Sequence, residues 1–199
     1  TFVPGTLTVT ASPITITANS QTKIYGAVDP ALTYTITSGS LALGDSVSGT
    51  LTRVAGEAVG TYAINQGTLS ISANYNITFV SANLTITKAP LTITASDASV
   101  AYGAATPLLS GTYSGFVNGD TSASLTSPAT FTTTRLINSN VGSYAITSGG
   151  ATSPNYTITF VPGTLTVTAS PITITATPSS KVYGAVDPAF TYTITSGAL

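Results

Sequence analysis

The chain has 199 residues, with only five Lys or Arg and six Asp or Glu, which gives a net charge of −1. Such sparse and balanced charge excludes a basic surface for nucleic-acid phosphates. Because Cys and His are both missing, disulfides, thiol chemistry and the common Cys–His zinc sites are excluded as well. We therefore predict no cofactor, no metal site, no nucleic-acid partner and, since no long apolar run occurs, no membrane span within these residues.

The residue types favour strands along the whole chain. Thr is the most frequent residue, and it occurs with many Val and Ile, which are also β-branched and fit a pleated strand. The 18 Gly and 11 Pro punctuate these stretches, and apolar residues nowhere recur at helical spacing. The sequence predicts an all-β fold.

Two long segments occur twice, 158 residues apart. Residues 1–18 return unchanged at 159–176, and residues 22–41 return nearly unchanged at 180–199. A fixed period of this kind marks a tandem array. Each repeat opens with the motif PITITA or PLTITA, which begins at Pro13, Pro90 and Pro171. The 158-residue period therefore contains two related halves, named here A and B.

The predicted repeats follow one another without long linkers. In chain order we predict the end of a B-type repeat over residues 1–11, repeat A over 12–88, repeat B over 89–169, and the start of another A-type repeat over 170–199. Since repeats are incomplete at both ends, we expect the chain to be a window on a longer array.

Repeat A is predicted to contain seven short strands, at residues 14–18, 21–25, 32–37, 47–53, 60–65, 75–80 and 83–87. Within the last of these, Leu84 and Ile86 alternate with Thr85 and Thr87, so one face is apolar and the other polar. Seven strands in about 80 residues suit a small immunoglobulin-like β-sandwich, and a tandem array of such domains suits an elongated rod. A β-grasp-like domain is the alternative.

The repeats share landmarks in the same order. These are a Tyr-Gly pair, a Pro five residues after the Tyr, a Gly-Asp pair and a Gly-x-Tyr motif. In repeat A they are Tyr25, Gly26, Pro30, Gly44, Asp45 and Tyr62; in repeat B they are Tyr102, Gly103, Pro107, Gly119, Asp120 and Tyr144; the last, incomplete repeat has Tyr183, Gly184 and Pro188.

The apolar positions change parity where repeat A meets repeat B. Leu84 and Ile86 are at even positions, whereas Leu91 and Ile93 are at odd positions. A straight strand would then bury opposite faces on the two sides of the junction. Because the linker is short and Pro90 limits its freedom, we expect a stiff junction with successive repeats rotated about the long axis.

The segments KAPLTITA, KIYGAVDPALTYTI, LALGDSVSGTLTR and NYNITFVSANLTITKA resemble the MBG domain of the YGX type, a repeat of large bacterial surface proteins and adhesins. The resemblance covers the whole chain. It implies an extracellular, surface-anchored location, as in filamentous-haemagglutinin-like or gliding-associated adhesins of Bacteroidota, and it supplies neither a ligand nor an active site. Repeat B lacks the carboxylate that repeat A has at Asp29, which argues against an essential role for Asp29 or Asp187.

The recurring Tyr and Asp landmarks each have a binding interpretation and a packing interpretation. Tyr25, Tyr102 and Tyr183 could stack on sugars, but their recurrence in every repeat favours rings packed at the domain edge, with Gly allowing the turn. Asp45 and Asp120 could bind calcium, but calcium needs several clustered carboxylates. We favour turns or caps in which each Asp accepts hydrogen bonds from backbone N–H groups.

Two reactive arrangements have less support. Lys23 or Lys88, with an Asn and Glu57, could form an isopeptide cross-link, but repeat B contains no Lys, so we interpret both as surface lysines. Asp45 and Glu57 are the pair that could act as acid and base, and Glu57 has no counterpart in repeat B. We predict no catalytic residues and no enzyme activity.

Three functions stay open. The first is a stalk or spacer of a giant surface adhesin, in which neighbouring repeats contact one another and give reach and stiffness for attachment or surface motility. The second is a filament or sheath of laterally associated copies, favoured by the low charge and the mean hydropathy of +0.38, because uncharged edge strands pair readily. The third is a glycan-binding module that uses the Tyr positions.

Overall fold

The structure, a computed structural model, describes residues 1–197, so the last two residues of the incomplete repeat predicted over 170–199 lie outside it. The described chain is all-β, as predicted, and its strands recur in the two tandem repeats. Apart from strands, it has one 3-10 turn at Ser122–Ser124.

Repeat A contains seven strands, six of which agree with the predicted ones to within two residues at each end. They are β1 (Ser12–Ala18), β2 (Gln21–Ile24), β3 (Tyr34–Ser38), β4 (Thr52–Arg53), β5 (Gly60–Asn65), β6 (Tyr75–Val80) and β7 (Ala82–Thr87). They form two sheets, with strand orders β3-β1-β6 and β2-β7-β5-β4. Both sheets are mixed, because β1 runs parallel to β6 and β2 runs parallel to β7.

Repeat B has the same plan. Its strands are β8 (Ala89–Ala95), β9 (Ala98–Ala101), β10 (Gly111–Ser114), β11 (Thr130–Thr133), β12 (Gly142–Gly149), β13 (Tyr156–Val161) and β14 (Gly163–Thr168). The sheet orders are β10-β8-β13 and β11-β12-β14-β9. The first strand pair of the next repeat is also present, as β15 (Thr173–Ala176) and β16 (Tyr192–Ser196).

Each repeat has its own apolar core between its two sheets. In repeat A the fully buried centre is Ala18, Ile64 and Leu84, with Leu51 and Phe79 packed against it. In repeat B the corresponding centre is Ala95, Ile146 and Leu165, with Phe131 and Tyr144 packed against it. The alternating apolar positions therefore build small β-sandwich domains, and the described residues contain no α-helix of the kind that a β-grasp domain needs.

The burial pattern changes parity at the junction between the repeats. Leu84 and Ile86 are buried in β7, and Leu91 and Ile93 are buried in β8, with Lys88 alone between the two strands. The backbone thus continues as strand on both sides while the buried face moves from even to odd positions. The rotation of successive repeats that we expect from this pattern stays a prediction.

The strand predicted over residues 47–53 is much shorter in the structure. Only Thr52–Arg53 forms β4, and Ser48 makes an isolated bridge with Ser70. Between them, Gly49 has a φ of +83°, and a Cβ there would lie 2.1 Å from the carbonyl oxygen of Thr68. The close backbone approach therefore interrupts the strand at a position that only Gly fits.

The described residues divide into two compact units. The first comprises Thr1–Leu91, Gly115–Pro128 and Ala151–Thr159, and the second comprises Thr92–Ser114, Ala129–Gly150 and Phe160–Leu199, of which residues 160–197 are described. The first unit therefore contains repeat A together with three segments of repeat B, residues 89–91, 115–128 and 151–159. This packing places the Tyr-Gly turn of repeat A in one compact body with the Gly-Asp turn of repeat B.

Candidate functional site where repeat A contacts repeat B

The Tyr-Gly turn that follows β2 carries Tyr25 to the surface of repeat B. The backbone N–H of Tyr25 donates to the carbonyl of Thr87 at the end of β7 (2.8 Å), which fixes the turn on its own repeat. From there the phenol hydroxyl of Tyr25 donates to the Asp120 carboxylate (2.9 Å). Tyr25 is only 8% exposed, so this landmark packs at the domain edge, against the neighbouring repeat.

Asp120 is the centre of the contact, because a second hydroxyl donates to the same oxygen. Tyr156, the first residue of β13, donates to Asp120 Oδ2 at 2.8 Å. The rings of Tyr25 and Tyr156 meet edge to face with centroids 5.5 Å apart, and Phe116 meets Tyr156 in the same way. Such edge-to-face pairs add stability beyond the buried area. The contact therefore combines an aromatic cluster with a carboxylate that two phenols share.

The ionisation of these groups matches their contacts. The hydrogen bond from Tyr156 lowers the pKa of Asp120 and, with the bond from Tyr25, outweighs the burial that raises it. Burial raises the pKa of Tyr156 to about 12, and the adjacent carboxylate acts in the same direction although the Val117 N–H opposes it. At neutral pH the site therefore holds an ionised Asp120 beside a neutral Tyr156, which is the state that the hydrogen bond between them requires.

Gly26 allows the two repeats to approach closely. Its φ is +82°, and a Cβ at this position would lie 2.3 Å from Cγ2 of Val117 in repeat B. The backbone conformation and the contact with Val117 both therefore require Gly here. The Tyr-Gly landmark is thus explained as a pair, in which Tyr reaches across the contact and Gly lets the backbone come near.

Two further hydrogen bonds join the repeats beside this cluster, and a third, within repeat B, anchors the start of β8. The side-chain oxygen of Asn155 accepts from Val59 N–H (3.1 Å), and its backbone carbonyl accepts from Ala89 N–H (3.0 Å). The Lys88 ammonium donates to the carbonyl of Ser153 (3.3 Å). These bonds fasten the short linker between β7 and β8 on both sides, which gives the junction several independent anchors.

Repeat A contains the same Asp–Tyr pair. Tyr75 donates to Asp45 Oδ2 (2.7 Å) and accepts from Ala42 N–H (2.7 Å), as Tyr156 does with Asp120 and Val117 N–H (3.1 Å). In repeat A the pair lines a groove of about 450 Å³. For both landmark Asp residues, the bonds described here therefore come from tyrosine hydroxyls, whereas the sequence predicted backbone N–H donors.

The remaining Tyr-Gly landmarks lack such a partner among the described residues. Tyr102 is anchored like Tyr25, by a bond from its N–H to the carbonyl of Thr168 (2.8 Å), but its ring is 43% exposed, and Tyr183 is fully exposed. A Cβ at Gly103 would meet nothing within 4 Å. The turn itself is therefore the same in each repeat, and what differs is the presence of a neighbouring Gly-Asp turn.

The Gly-x-Tyr landmarks have a role inside each repeat. The hydroxyl of Tyr62 donates to the carbonyl of Ala58, and that of Tyr144 donates to the carbonyl of Asn140, both at 2.8 Å. Each bond spans four residues and closes the loop that leads into the long central strand. These two residues are therefore part of the domain framework and lie apart from the contact between repeats.

A second polar cluster lies in repeat A and joins four charged side chains. The Asp29 carboxylate accepts from Arg53 Nε (2.5 Å) and Nη2 (3.1 Å) and pairs with Lys23 Nζ (2.6 Å). Glu57 pairs with Lys23 Nζ (2.5 Å) and with Arg53, whose guanidinium also lies 5.5 Å from the Tyr62 ring centroid. Lys23 is 8% exposed, so its interpretation as a surface lysine was wrong.

The electrostatics of this cluster oppose an isopeptide bond. A cross-link from Lys23 to an Asn needs a neutral amine and, with Glu57 as the acid, a protonated carboxyl group. Hydrogen bonds from Lys23 and Arg53 lower the pKa of Glu57. Burial alone would lower the pKa of Lys23, but its bonds to Asp29 and Glu57 raise it overall. Both groups are therefore charged at neutral pH, and the cluster is an ion-pair network between β2, β4 and the adjoining loops.

The carboxylate pair considered for acid–base chemistry does not meet. Asp45 binds Tyr75, whereas Glu57 belongs to the ion-pair network. Within residues 1–197 no group of three Asp or Glu side chains is placed to hold a metal ion, and no helix is long and apolar enough to cross a membrane.

Sequence reasoning missed the partners of its landmarks. Tyr75 and Tyr156 were not singled out, although an Asn-Tyr pair stands at the start of β6 and again at the start of β13. The chain has two Arg, Arg53 and Arg135, and each stands nine residues before the Gly-x-Tyr tyrosine. Lys23 could have been placed inside, because the equivalent residue of repeat B is the apolar Val100.

Comparison with known proteins agrees with this repeat structure. The family model for the MBG domain (YGX type) matches residues 14–85 and again residues 91–166. No curated protein matches the chain. The two matched segments cover most of the chain and correspond to two tandem copies of one domain.

Proposed function

The chain belongs to the MBG domain (YGX type) family, and from this premise we propose that it is a stalk or spacer segment of a giant bacterial surface adhesin. MBG domains are structural repeats that typically occur in extracellular surface proteins, and tandem copies fit a repeat segment of a large protein. The bacterial cell surface is accordingly the proposed location. The proposed work is mechanical: the repeats give reach and stiffness for attachment or surface motility.

The observation that carries the proposal is the carboxylate shared between repeats. Asp120 of repeat B accepts from Tyr25 of repeat A and from its own Tyr156. A hydrogen bond to a charged acceptor in a partly buried site is worth about 1.5–3 kcal/mol. Gly26 brings the backbones together at the same point. A spacer needs such directional contacts, because an apolar contact alone would allow neighbouring domains to slide.

The landmarks support continuation of the same contact along an array. In the groove of repeat A, Asp45 and Tyr75 are bonded as Asp120 and Tyr156 are at the contact with Tyr25. This groove is therefore proposed to bind the Tyr-Gly turn of a preceding B-type repeat. Tyr102 and Gly103 would fill the Gly-Asp turn of a following A-type repeat. Each repeat would thus donate a turn at one end and accept one at the other.

Light scattering and small-angle X-ray scattering across a concentration series test this proposal. The chain is expected to stay monomeric, with an extended scattering profile that does not change with concentration. The variant Asp120→Ala removes the shared acceptor, and its scattering profile is expected to indicate a more flexible chain. The matched control is Asp45→Ala, which removes the equivalent acceptor of repeat A, where no Tyr-Gly turn of a neighbouring repeat is bound. Identical profiles for the two variants would contradict the proposed role of the contact.

A filament or sheath of associated copies is the second candidate. It is supported by the scarcity of charge and by apolar side chains that are exposed on β-strands, such as Ile24 (51%) and Val80 (43%). Growth of the particle mass with concentration in the same experiment would favour this candidate and would count against the monomeric stalk.

Glycan binding and catalysis have less support. Tyr25 is enclosed in the contact between repeats, so its ring is not open to a sugar. The carboxylates of the first unit are engaged by tyrosine, lysine or arginine side chains, which leaves none of these poised as an acid or base. We therefore propose that the segment is not an enzyme. A glycan array with Tyr102→Ala as the control would test the binding alternative.

A further inference from the structure

Repeat B contains a buried cation without a carboxylate partner. Arg135 follows β11 and is 4% exposed. Its Nη1 donates to the Thr106 hydroxyl (3.0 Å) and its Nη2 donates to the carbonyl of Ile137 (3.3 Å). Its buried Nε has no hydrogen-bond partner within the described part of the chain. Burying a charge without a counter-ion is unfavourable, so this arginine needs an explanation.

Repeat A shows what the same arginine binds when carboxylates are present. Arg53 occupies the position equivalent to Arg135, nine residues before the Gly-x-Tyr tyrosine. Asp29 accepts from its Nε (2.5 Å) and Nη2 (3.1 Å), and Glu57 also accepts from Nη2. This two-pronged bond is the geometry that a guanidinium prefers with a carboxylate.

Both carboxylates that bind that arginine, and the lysine that shares them, are replaced in repeat B. Counted from the landmark tyrosines, Asp29 corresponds to Thr106, Glu57 corresponds to Ser139, and Lys23 corresponds to Val100. The hydroxyl of Thr106 reaches Nη1 only, and Ser139 accepts instead from the N–H of Leu136 (2.8 Å). Arg53 Nε binds Asp29 in repeat A, whereas Arg135 Nε in repeat B has no hydrogen-bond partner among the described residues.

An open groove adjoins this arginine within the second unit. It has a volume of about 620 Å³ and is lined by Arg135, the hydroxyl residues Thr106, Thr132 and Thr133, and the apolar residues Pro107, Leu108, Leu109 and Phe131. Leu108 is almost fully exposed, and Thr106 is exposed on the same loop. A small molecule in this groove would lie beside Arg135, and it would reach the buried Nε only if the loop that carries Thr106 moves aside.

We propose that this groove is a binding site for an organic carboxylate, with Arg135 as its anchor. One carboxylate oxygen would accept from Nε and the other from Nη2, which repeats the Arg53–Asp29 pair with a ligand in place of Asp29. The threonine hydroxyls can donate to further polar groups of the ligand, and Leu109 and Phe131 supply an apolar wall. The site belongs to repeat B alone, so the inference does not depend on the proposed stalk function.

Nitrogen-15 NMR provides the test, because the chain has two arginines and hence two Nε–H signals. The probe is acetate, which is added to the protein at neutral pH, and a parallel titration with chloride at the same ionic strength is the reference. We expect a saturable shift of the Arg135 Nε–H signal in acetate but not in chloride, with half-saturation in the millimolar range because one small carboxylate makes few contacts. The Arg53 signal, already paired with Asp29, should stay unchanged. Glucuronate in place of acetate shows whether the groove accepts a sugar acid.

The variant Thr106→Asp is the matched control, because it restores the carboxylate of repeat A at the equivalent position. It should move the Arg135 signal towards that of Arg53 and abolish the acetate response. Acetate should also raise the unfolding temperature of the unmodified chain more than that of this variant. Equal shifts of both arginine signals, or a response to chloride as large as that to acetate, would overturn the proposal. A buried water would then be the partner of Arg135 Nε.

Discussion

Tyr25 and Tyr102 are the same landmark in two environments, and their comparison isolates the value of the contact between repeats. Both are anchored by the same backbone bond to the last strand of their repeat. Only Tyr25 donates to a carboxylate and packs on a neighbouring ring. A change that removes the hydroxyl alone therefore tests the shared hydrogen bond while it leaves the packing intact.

The first prediction concerns Tyr25→Phe. Loss of the hydroxyl removes one donor to Asp120, and we expect the free energy of unfolding to fall by about 1–2 kcal/mol. Urea denaturation followed by circular dichroism measures the change. Tyr102→Phe is the control and should leave stability unchanged, because the Tyr102 ring is 43% exposed and its hydroxyl has no described partner. Equal effects of the two changes would contradict this account.

The second prediction concerns the pH dependence of repeat A. The pKa of Asp29 is about 2 in the folded chain and returns to about 3.9 on unfolding. Because the folded value is the lower one, ionised Asp29 stabilises repeat A above about pH 4, and this contribution is lost as the pH falls towards 2. Asp29→Asn should lower stability at pH 7 and flatten its decline between these pH values.

The control for this pH experiment is Asp187→Asn. Asp187 pairs with Lys181, but this ion pair is largely exposed, with side-chain exposures of 66% and 46%, and exposed pairs contribute little. Its replacement should leave the pH profile of unfolding unchanged. If Asp29→Asn followed the wild-type profile in parallel, the ion-pair network would not be the source of the acid sensitivity.

The sequence predicted which residues are landmarks, but it did not predict which partners they bind, and the reason is physical. Tyr25, Gly26 and Asp120 were found because they recur at fixed places. The sequence did not predict that Asp120 binds tyrosines, since the two donors lie 95 and 36 residues away along the chain. Contacts at such separations depend on how the sheets and repeats pack, which local patterns do not encode.

At the scale of elements, alternation predicted the strands closely because one face of each is buried. Leu84 and Ile86 fix β7, and Ile14 and Ile16 fix β1. The predicted strand at 47–53 was too long because periodicity does not register the backbone approach at Gly49. Parallel pairing of β1 with β6 was likewise not readable from sequence, since both pairing directions bury the same alternate residues.

The third prediction concerns the Tyr-Gly turn as an element. Gly26 and Gly103 have φ values of +82° and +80°, but a Cβ would strike Val117 at the first position and nothing at the second. Replacement of either by Ala should cost about 1–2 kcal/mol for the left-handed backbone. Gly26→Ala should cost a further 1–3 kcal/mol or so through overpacking. Equal losses in urea denaturation would show that the close approach to Val117 is unimportant.

At the scale of the whole molecule, the shared carboxylate should couple the unfolding of neighbouring repeats. In an array, stability is approximately the sum of the stability of each repeat and the contacts between neighbours. Tyr25, from repeat A, and Tyr156, from repeat B, donate to one oxygen of Asp120. Opening either repeat therefore removes a hydrogen bond that also stabilises the other.

A double-mutant cycle with Tyr25→Phe and Asp120→Ala measures this coupling. The two changes remove the same bond between repeats, so their combined cost in free energy of unfolding should be smaller than the sum of the single costs by about 1–2 kcal/mol.

Hydrogen exchange followed by mass spectrometry measures the effect in each repeat separately. Asp120→Ala should speed exchange in β2 and β7 of repeat A, although the substitution lies in repeat B. Asp45→Ala, which breaks the equivalent bond to Tyr75 inside one repeat, should speed exchange in repeat A and leave repeat B unchanged. Additive costs, or an effect of Asp120→Ala confined to repeat B, would mean that the repeats fold independently.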